Sequence, residues 1–191
     1  MNTFLKRILI VLTVIALGLL LYSTFVENIF TSRLSPKDSV EFKLNDLKLK
    51  VSYNRPSKKG REIFGALVPF NKVWRTGANE ATTFKTNKPL YIRGFEVPEG
   101  EYTIWTVPGD SIWQIMFNTK KYPWGVDEEM RPMWDPNYDL LEIDVPVEKI
   151  DSVVEQFTIS FDNSTDKLNM TLAWDQTKIA VPLETAKKSD N

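Results

Sequence analysis

Neither cysteine nor histidine occurs anywhere in the 191-residue chain. Without cysteine there is no thiol nucleophile, no disulfide and no lipidated cysteine. Without histidine the usual neutral-pH acid–base group and the commonest metal ligand are both missing. Zinc sites built on these side chains are excluded, and so is a Ser-His-Asp triad. Any catalysis rests on Asp, Glu, Lys, Arg, Tyr, Ser or Thr. An excess of one charge sign is also lacking, since 24 Lys and Arg stand against 25 Asp and Glu for a net charge of −1. No basic block or stripe stands out, so the counterion release that drives nucleic-acid binding has no source, and no nucleic-acid partner is expected. Internal repeats and low-complexity tracts are absent, and no segment beyond the first 30 residues or so has a convincing helical period of ten or more.

One long apolar run is present. Ile8 to Val26 is a stretch of 19 residues without a charge. As a helix it spans roughly 28 Å, close to a hydrocarbon core of about 30 Å. Lys6 and Arg7 precede it, which by the positive-inside rule puts the N-terminus in the cytoplasm and the rest outside. Two readings compete with a membrane anchor. A cleaved signal peptide has a shorter apolar stretch and ends in small residues, whereas Tyr22-Ser23-Thr24-Phe25-Val26 makes a poor cleavage site. A buried core helix would show polar positions on one face. The sequence therefore divides into an anchor at 1–27, a linker at 28–38, a domain at 39–184 and a polar tail at 185–191. The expected placement is single-pass, with the domain in the periplasm or cell envelope and the membrane as its partner.

Beyond the linker, apolar and polar residues alternate. Leu47, Leu49, Val51 and Tyr53 lie two apart, the period of a half-buried strand. The same pattern predicts strands at 82–86, 90–93, 102–107, 112–118, 140–145, 154–161, 168–174 and 179–183. Pro98-Glu99-Gly100 and Pro108-Gly109-Asp110 are turn sequences. Asp175-Gln176-Thr177 reads as the tip of a hairpin between the last two strands. Short helical turns are expected near 59–64 and 147–152. Nine or so short strands of this spacing predict an all-β fold, an antiparallel, jelly-roll-like β-sandwich behind one N-terminal transmembrane helix.

Two stretches break the alternation, at 53–65 and 73–82. Both mix Arg, Gly and apolar residues, and sites often violate local rules in this way. The residues that do so are Arg55-Pro56-Ser57, Gly60-Arg61, Ile63-Phe64-Gly65 and the block Val73-Trp74-Arg75-Thr76-Gly77-Ala78-Asn79-Glu80-Ala81-Thr82. With Leu67-Val68-Pro69, Pro98 to Tyr102, Pro108-Gly109 and Phe157 to Phe161, they resemble the bacterial family known as domain of unknown function 2911, found chiefly in Bacteroidetes. The likeness runs from about Leu47 to Leu183. It implies an exported envelope domain and supplies no activity.

Arg75 presents a planar fork of donors suited to a carboxylate or phosphate. Glu80 follows across a Gly77-Ala78 turn, and Arg55 and Arg61 come from the other loop. In one reading Arg75 pairs with Glu80 or another acid and pins the loop. In the other, Arg55, Arg61, Trp74, Arg75, Asn79 and Glu80 converge on a small polar or anionic ligand. Trp74, Trp105, Trp113 and Trp174 fall on strands and are expected in the core, while Trp124 and Trp134 lie in the 120–139 loop. Asp135-Pro136-Asn137-Tyr138-Asp139 imitates the start of a calcium loop but lacks its Gly and its closing Glu, so neither metal nor cofactor is expected. Three functions stand side by side: a ligand-binding module, a glycan or ester hydrolase using Glu80 as base and Arg75 to stabilise charge, and an envelope scaffold without a small ligand.

Overall fold

The computed structural model describes residues 2–30, 34–165 and 167–185, as backbone alone from residue 25 to residue 30. Part of the linker and nearly all of the polar tail therefore lie outside the described residues. The chain forms two compact units, Met1–Leu34 and Ser35–Asn191.

The first unit is the helix α1, Thr3–Phe30. Its apolar stretch Thr3–Thr24 is long and greasy enough to cross a membrane, and none of it is buried within the protein. Such a helix could be a membrane anchor or a signal sequence. The hydroxyls of Thr13, Ser23 and Thr24 donate to backbone carbonyls of Leu9, Leu20 and Leu21 one turn back. These three hydroxyls thus find acceptors within the helix.

The second unit is antiparallel β. Its strands are β1 (Lys37–Leu44), β2 (Leu47–Asn54), β3 (Thr82–Thr86), β4 (Leu90–Ile92), β5 (Phe95–Val97), β6 (Gly100–Val107), β7 (Ile112–Asn118), β8 (Asp139–Asp162) and β9 (Leu168–Thr185). They pair in the order β1-β2-β3-β6-β7-β8-β9-β4-β5. By hydrogen bonding this is one continuous sheet, and it bends so that the far half of β8 forms a second layer over β1 and β2. β8 makes the fold-over. Its first part pairs with β7, up to Pro146 opposite Ile112, and its remainder pairs with β9. Register shifts after Lys149 and Val154 supply the bend. The far half of β8 then lies over β2: the backbone N–H of Phe157 donates to Pro56 O at 2.9 Å, and the rings of Phe42 and Phe161 approach to 5.8 Å.

Period-two patterning accounts for most of this. Leu47, Leu49 and Val51 are buried while Lys48 and Lys50 between them face water. Inside the fold an aromatic cluster of Phe64, Trp74, Trp113, Phe157 and Trp174 packs largely edge to face, with Trp74 stacked on Trp174. A smaller second cluster gathers Ala81, Trp105, Met116 and Tyr122, with Val73, Val107 and Trp134 packed against it.

Three expectations are corrected. The runs 168–174 and 179–183 are not the two arms of a hairpin but one strand, β9, and Asp175 at φ 54° is a kink inside it, opposite Val154 at a register shift of β8. The runs 140–145 and 154–161 are likewise one strand, β8. Residues 147–152 are strand rather than helical turn, and 59–64 form a turn closed by Arg61 N–H on Lys58 O. Two strands, β1 and β5, had no signal strong enough to single them out. β1 opens on charged residues, and β5 has three residues.

Tyr53, 2% exposed, ties the two layers together. Its hydroxyl accepts from Ile159 N–H at 3.1 Å and faces Ile159 O at 3.5 Å. Tyr53→Phe strands that buried N–H, so denaturant unfolding is expected to show a loss of about 1–3 kcal/mol. Unchanged stability would mean the hydroxyl does not bridge the layers.

Candidate functional site

The block 73–82 enters beside β6. Trp74 and Thr106 exchange both backbone hydrogen bonds, at 2.7 and 3.0 Å. Extended chain alternates its side chains, so Trp74 points into the aromatic core while Val73 packs on the second cluster with Trp105 and Val107. By the same alternation Arg75 takes the side of Val73. The chain then turns sharply, with positive φ at Thr76, Gly77 and Asn79. Side chains fix this turn. Trp74 Nε1 donates to Gly77 O at 3.0 Å, and Thr82 Oγ1 donates to Thr76 O at 2.6 Å. Gly77 is obligatory, because a Cβ there would lie 2.9 Å from Asn54 O at a φ of 147°.

Asn54, at the end of β2, organises the far side of the turn. Its Nδ2 donates to Glu80 Oε2 at 2.9 Å, and its Oδ1 accepts from Asn79 Nδ2 at 3.3 Å. Asn79 Nδ2 also reaches Ser35 O at 3.3 Å. Asn54 is 1% exposed, while Asn79 and Glu80 are half-buried.

The 120–139 loop closes over the opposite side. Gly125 N–H donates to Asn79 O at 3.1 Å, and Met133 N–H donates to Gly125 O at 3.2 Å. A Cβ on Gly125 would lie 2.4 Å from Arg75 Cδ and 2.8 Å from its Cβ, so only glycine lets the loop rest on the arginine stem. The loop hangs from Asn118, which is fully buried. Asn118 Nδ2 donates to Asp135 O and to Asp139 Oδ1, and its Oδ1 accepts from Lys120 N–H and Tyr122 Oη. Asp139 also accepts from Trp134 Nε1. The Asp135 carboxylate caps the helical turn at 136–138, and the Asn137 N–H holds its pKa below the usual carboxylate range. The acids that imitate a calcium loop thus have structural partners, and no group of three or more acidic side chains among the described residues is placed to hold a metal ion.

The six candidate residues separate on this scaffold. Arg55 spends its donors internally, on Asp38 at 3.1 Å, Phe157 O at 3.2 Å and Thr158 Oγ1 at 2.9 Å. Arg61 folds back on Lys58 O and Ser57 O within its own loop. Trp74 packs its ring into the core cluster. Asn79 and Glu80 share the Asn54 network. Arg75 differs from all of these. Its Nε is buried and meets no acceptor, and among the described residues no hydrogen bond or ion pair involves its guanidinium. Burial alone pushes its pKa down, with no neighbouring charge to counter the effect. No hydrogen bond or ion pair joins Arg75 to Glu80 among the described residues, and Glu80 has partners of its own. Asn54, Asn118 and Gly125 carry no sequence signal of their own, because only the fold brings them to the block at 73–82.

A structural pin and an idle cation respond oppositely to removal. Arg75→Met takes away a partly buried, unpartnered charge while keeping the stem that packs on Gly125, so its unfolding temperature is expected to equal or exceed that of the unchanged protein. A drop of more than about 4 °C, the order produced by losing a kilocalorie or more in a domain of this size, would mark Arg75 as a structural pin.

No curated protein and no solved structure matches the chain. Residues 35–183 match a family model described as protein of unknown function DUF2911, a span that takes in the whole sheet but the last two residues of β9, and both loops around Arg75. The chain belongs to the DUF2911 family.

Proposed function

We propose that this protein is a membrane-anchored binding module of the cell envelope whose sheet domain holds a small polar or anionic ligand against Arg75. One observation carries the reading: Arg75 is a partly buried guanidinium whose buried Nε meets no acceptor among the described residues. A desolvated charge with no partner costs stability, and an incoming anion removes that cost while gaining two parallel hydrogen bonds. The surrounding turn is rigid, since Gly77, Thr82 and Trp74 fix its backbone, so little ordering is needed on binding. The hydrolase alternative asks Glu80 to act as a base, and Glu80 already accepts from Asn54 at 2.9 Å, an arrangement better suited to holding a loop.

The anchor half of the proposal rests on the unburied apolar helix Thr3–Thr24, whose length exceeds the apolar core of a signal peptide. Protein recovered from cells should remain in the membrane pellet after salt and alkaline washes, and N-terminal sequencing should read from the start of the chain. Release into the soluble fraction with a trimmed N-terminus would instead mark a signal sequence.

For the ligand half, the detergent-solubilised full chain is expected to melt higher in millimolar orthophosphate, pyrophosphate or citrate than in chloride of equal ionic strength, because a ligand bound only by the folded state raises stability. Arg75→Gln should erase the difference. An equal shift in the variant, or none in either protein, counts against a site at Arg75.

A further inference from the structure

We infer that the anion held at Arg75 is the phosphate headgroup of a lipid in the bilayer that α1 crosses, and that the 120–139 loop enters the headgroup layer to receive it. This rests on the proposed reading of Arg75 as an anion site and of α1 as an anchor.

The first support is covalent. The apolar span ends at Thr24, and the sheet unit starts at Ser35. Residues 25–30 continue the helix, a rise of about 9 Å, and five further residues reach at most about 18 Å. A domain of this size has a radius of gyration of about 15 Å. Whatever angle the helix takes, Ser35 stays within about one domain diameter of the end of the span. Ser35 is also where the site begins. Its carbonyl accepts from Asn79 Nδ2 at 3.3 Å, and the neighbouring Pro36 O accepts from Arg55 N–H at 2.9 Å. Asn79 O in turn holds Gly125 of the covering loop. The root of the tether, the turn bearing Arg75 and the covering loop are joined by consecutive hydrogen bonds.

The second support is the surface of that loop. Trp124 is 41% exposed, Met133 40% and Met130 69%. Single exposed apolar residues are ordinary, but these three lie within ten positions on the one loop that rests on Arg75. Tryptophan favours the headgroup level, and methionine adapts to a fluid apolar surface. Most of the loop's acids have partners of their own, and Glu128 stands exposed to solvent. Arg131 pairs with both Asp127 and Glu129 at 2.7 Å, and Asp135 accepts from Asn137. With no basic stripe to attract anionic lipid diffusely, recognition falls to the guanidinium itself, whose fork matches two phosphate oxygens.

The test uses the full chain in nanodiscs of phosphatidylcholine, alone or mixed with phosphatidylglycerol. Phosphatidylglycerol is expected to raise the unfolding temperature by several degrees, Arg75→Lys to retain part of the rise and Arg75→Gln to lose it. A rise that persists in Arg75→Gln, or no rise at all, overturns the inference. If orthophosphate added to phosphatidylcholine discs reproduces the rise, a free anion is the ligand: the anion site stands and the lipid is excluded. A second measurement is independent of stability. All six tryptophans lie in the sheet domain, so brominated lipid that quenches their fluorescence reports that domain alone. Quenching is expected and should fall sharply in Trp124→Phe. Quenching that is absent, or unchanged by the substitution, overturns entry of the loop into the headgroup layer.

Discussion

One rung of backbone hydrogen bonds, Trp74 with Thr106, sets the arrangement of the candidate site. It attaches the block 73–82 to the side of β6, and by doing so it settles which neighbour faces inward. Trp74 joins Trp113, Trp174, Phe64 and Phe157 in the core, which fixes the block in depth and rotation. Arg75 is thereby forced to the other side, under a loop held on by Gly125. The arginine stem is half-buried on one side because the half-buried tryptophan before it takes the other. A shift of one residue would send the charge into the core and the indole outward, and neither position would tolerate the exchange.

The polar side chains named around Arg75 have partners of their own. Asn54 serves Asn79 and Glu80, Asn118 serves the covering loop, and Arg55 and Arg61 serve the backbone of their own surroundings. Natural folds seldom leave a buried polar atom without a partner, and where they do the exception asks for a reason. Trp113 Nε1 is another such atom, but it lies within the aromatic core, and nothing in its surroundings suggests a ligand. Arg75 sits instead where the turn at 76–79 meets the loop that carries Gly125.

The strands could be read from the chain wherever one face is buried and one is wet, as at Leu47 to Tyr53 or Ile112 to Asn118. Reading failed where a strand carries on through a kink. Asp175 looks like a turn because an acid flanked by polar residues usually is one, but its partner strand β8 bends in step with it and the ladder continues. The site was legible as a departure from alternation, and Arg75 could be picked out for its chemistry. That its Nε meets no acceptor among the described residues could not be read, since its surroundings depend on Asn54 binding Glu80 and on Asn118 and Gly125 placing a loop from more than 40 residues away in sequence. Arg55 and Arg61 looked equally promising in the sequence, and only the neighbouring carbonyls, Asp38 and Thr158 reveal that their donors are already used.

The most direct test of an unpartnered Arg75 awaiting an anion is an experimental structure of the full chain purified from its native membrane. Density for a bound anion about 2.7–3.0 Å from the Arg75 guanidinium, with Glu80 still held by Asn54, is the expected result. A guanidinium found forked on a carboxylate of its own chain, with no foreign density beside it, would contradict it.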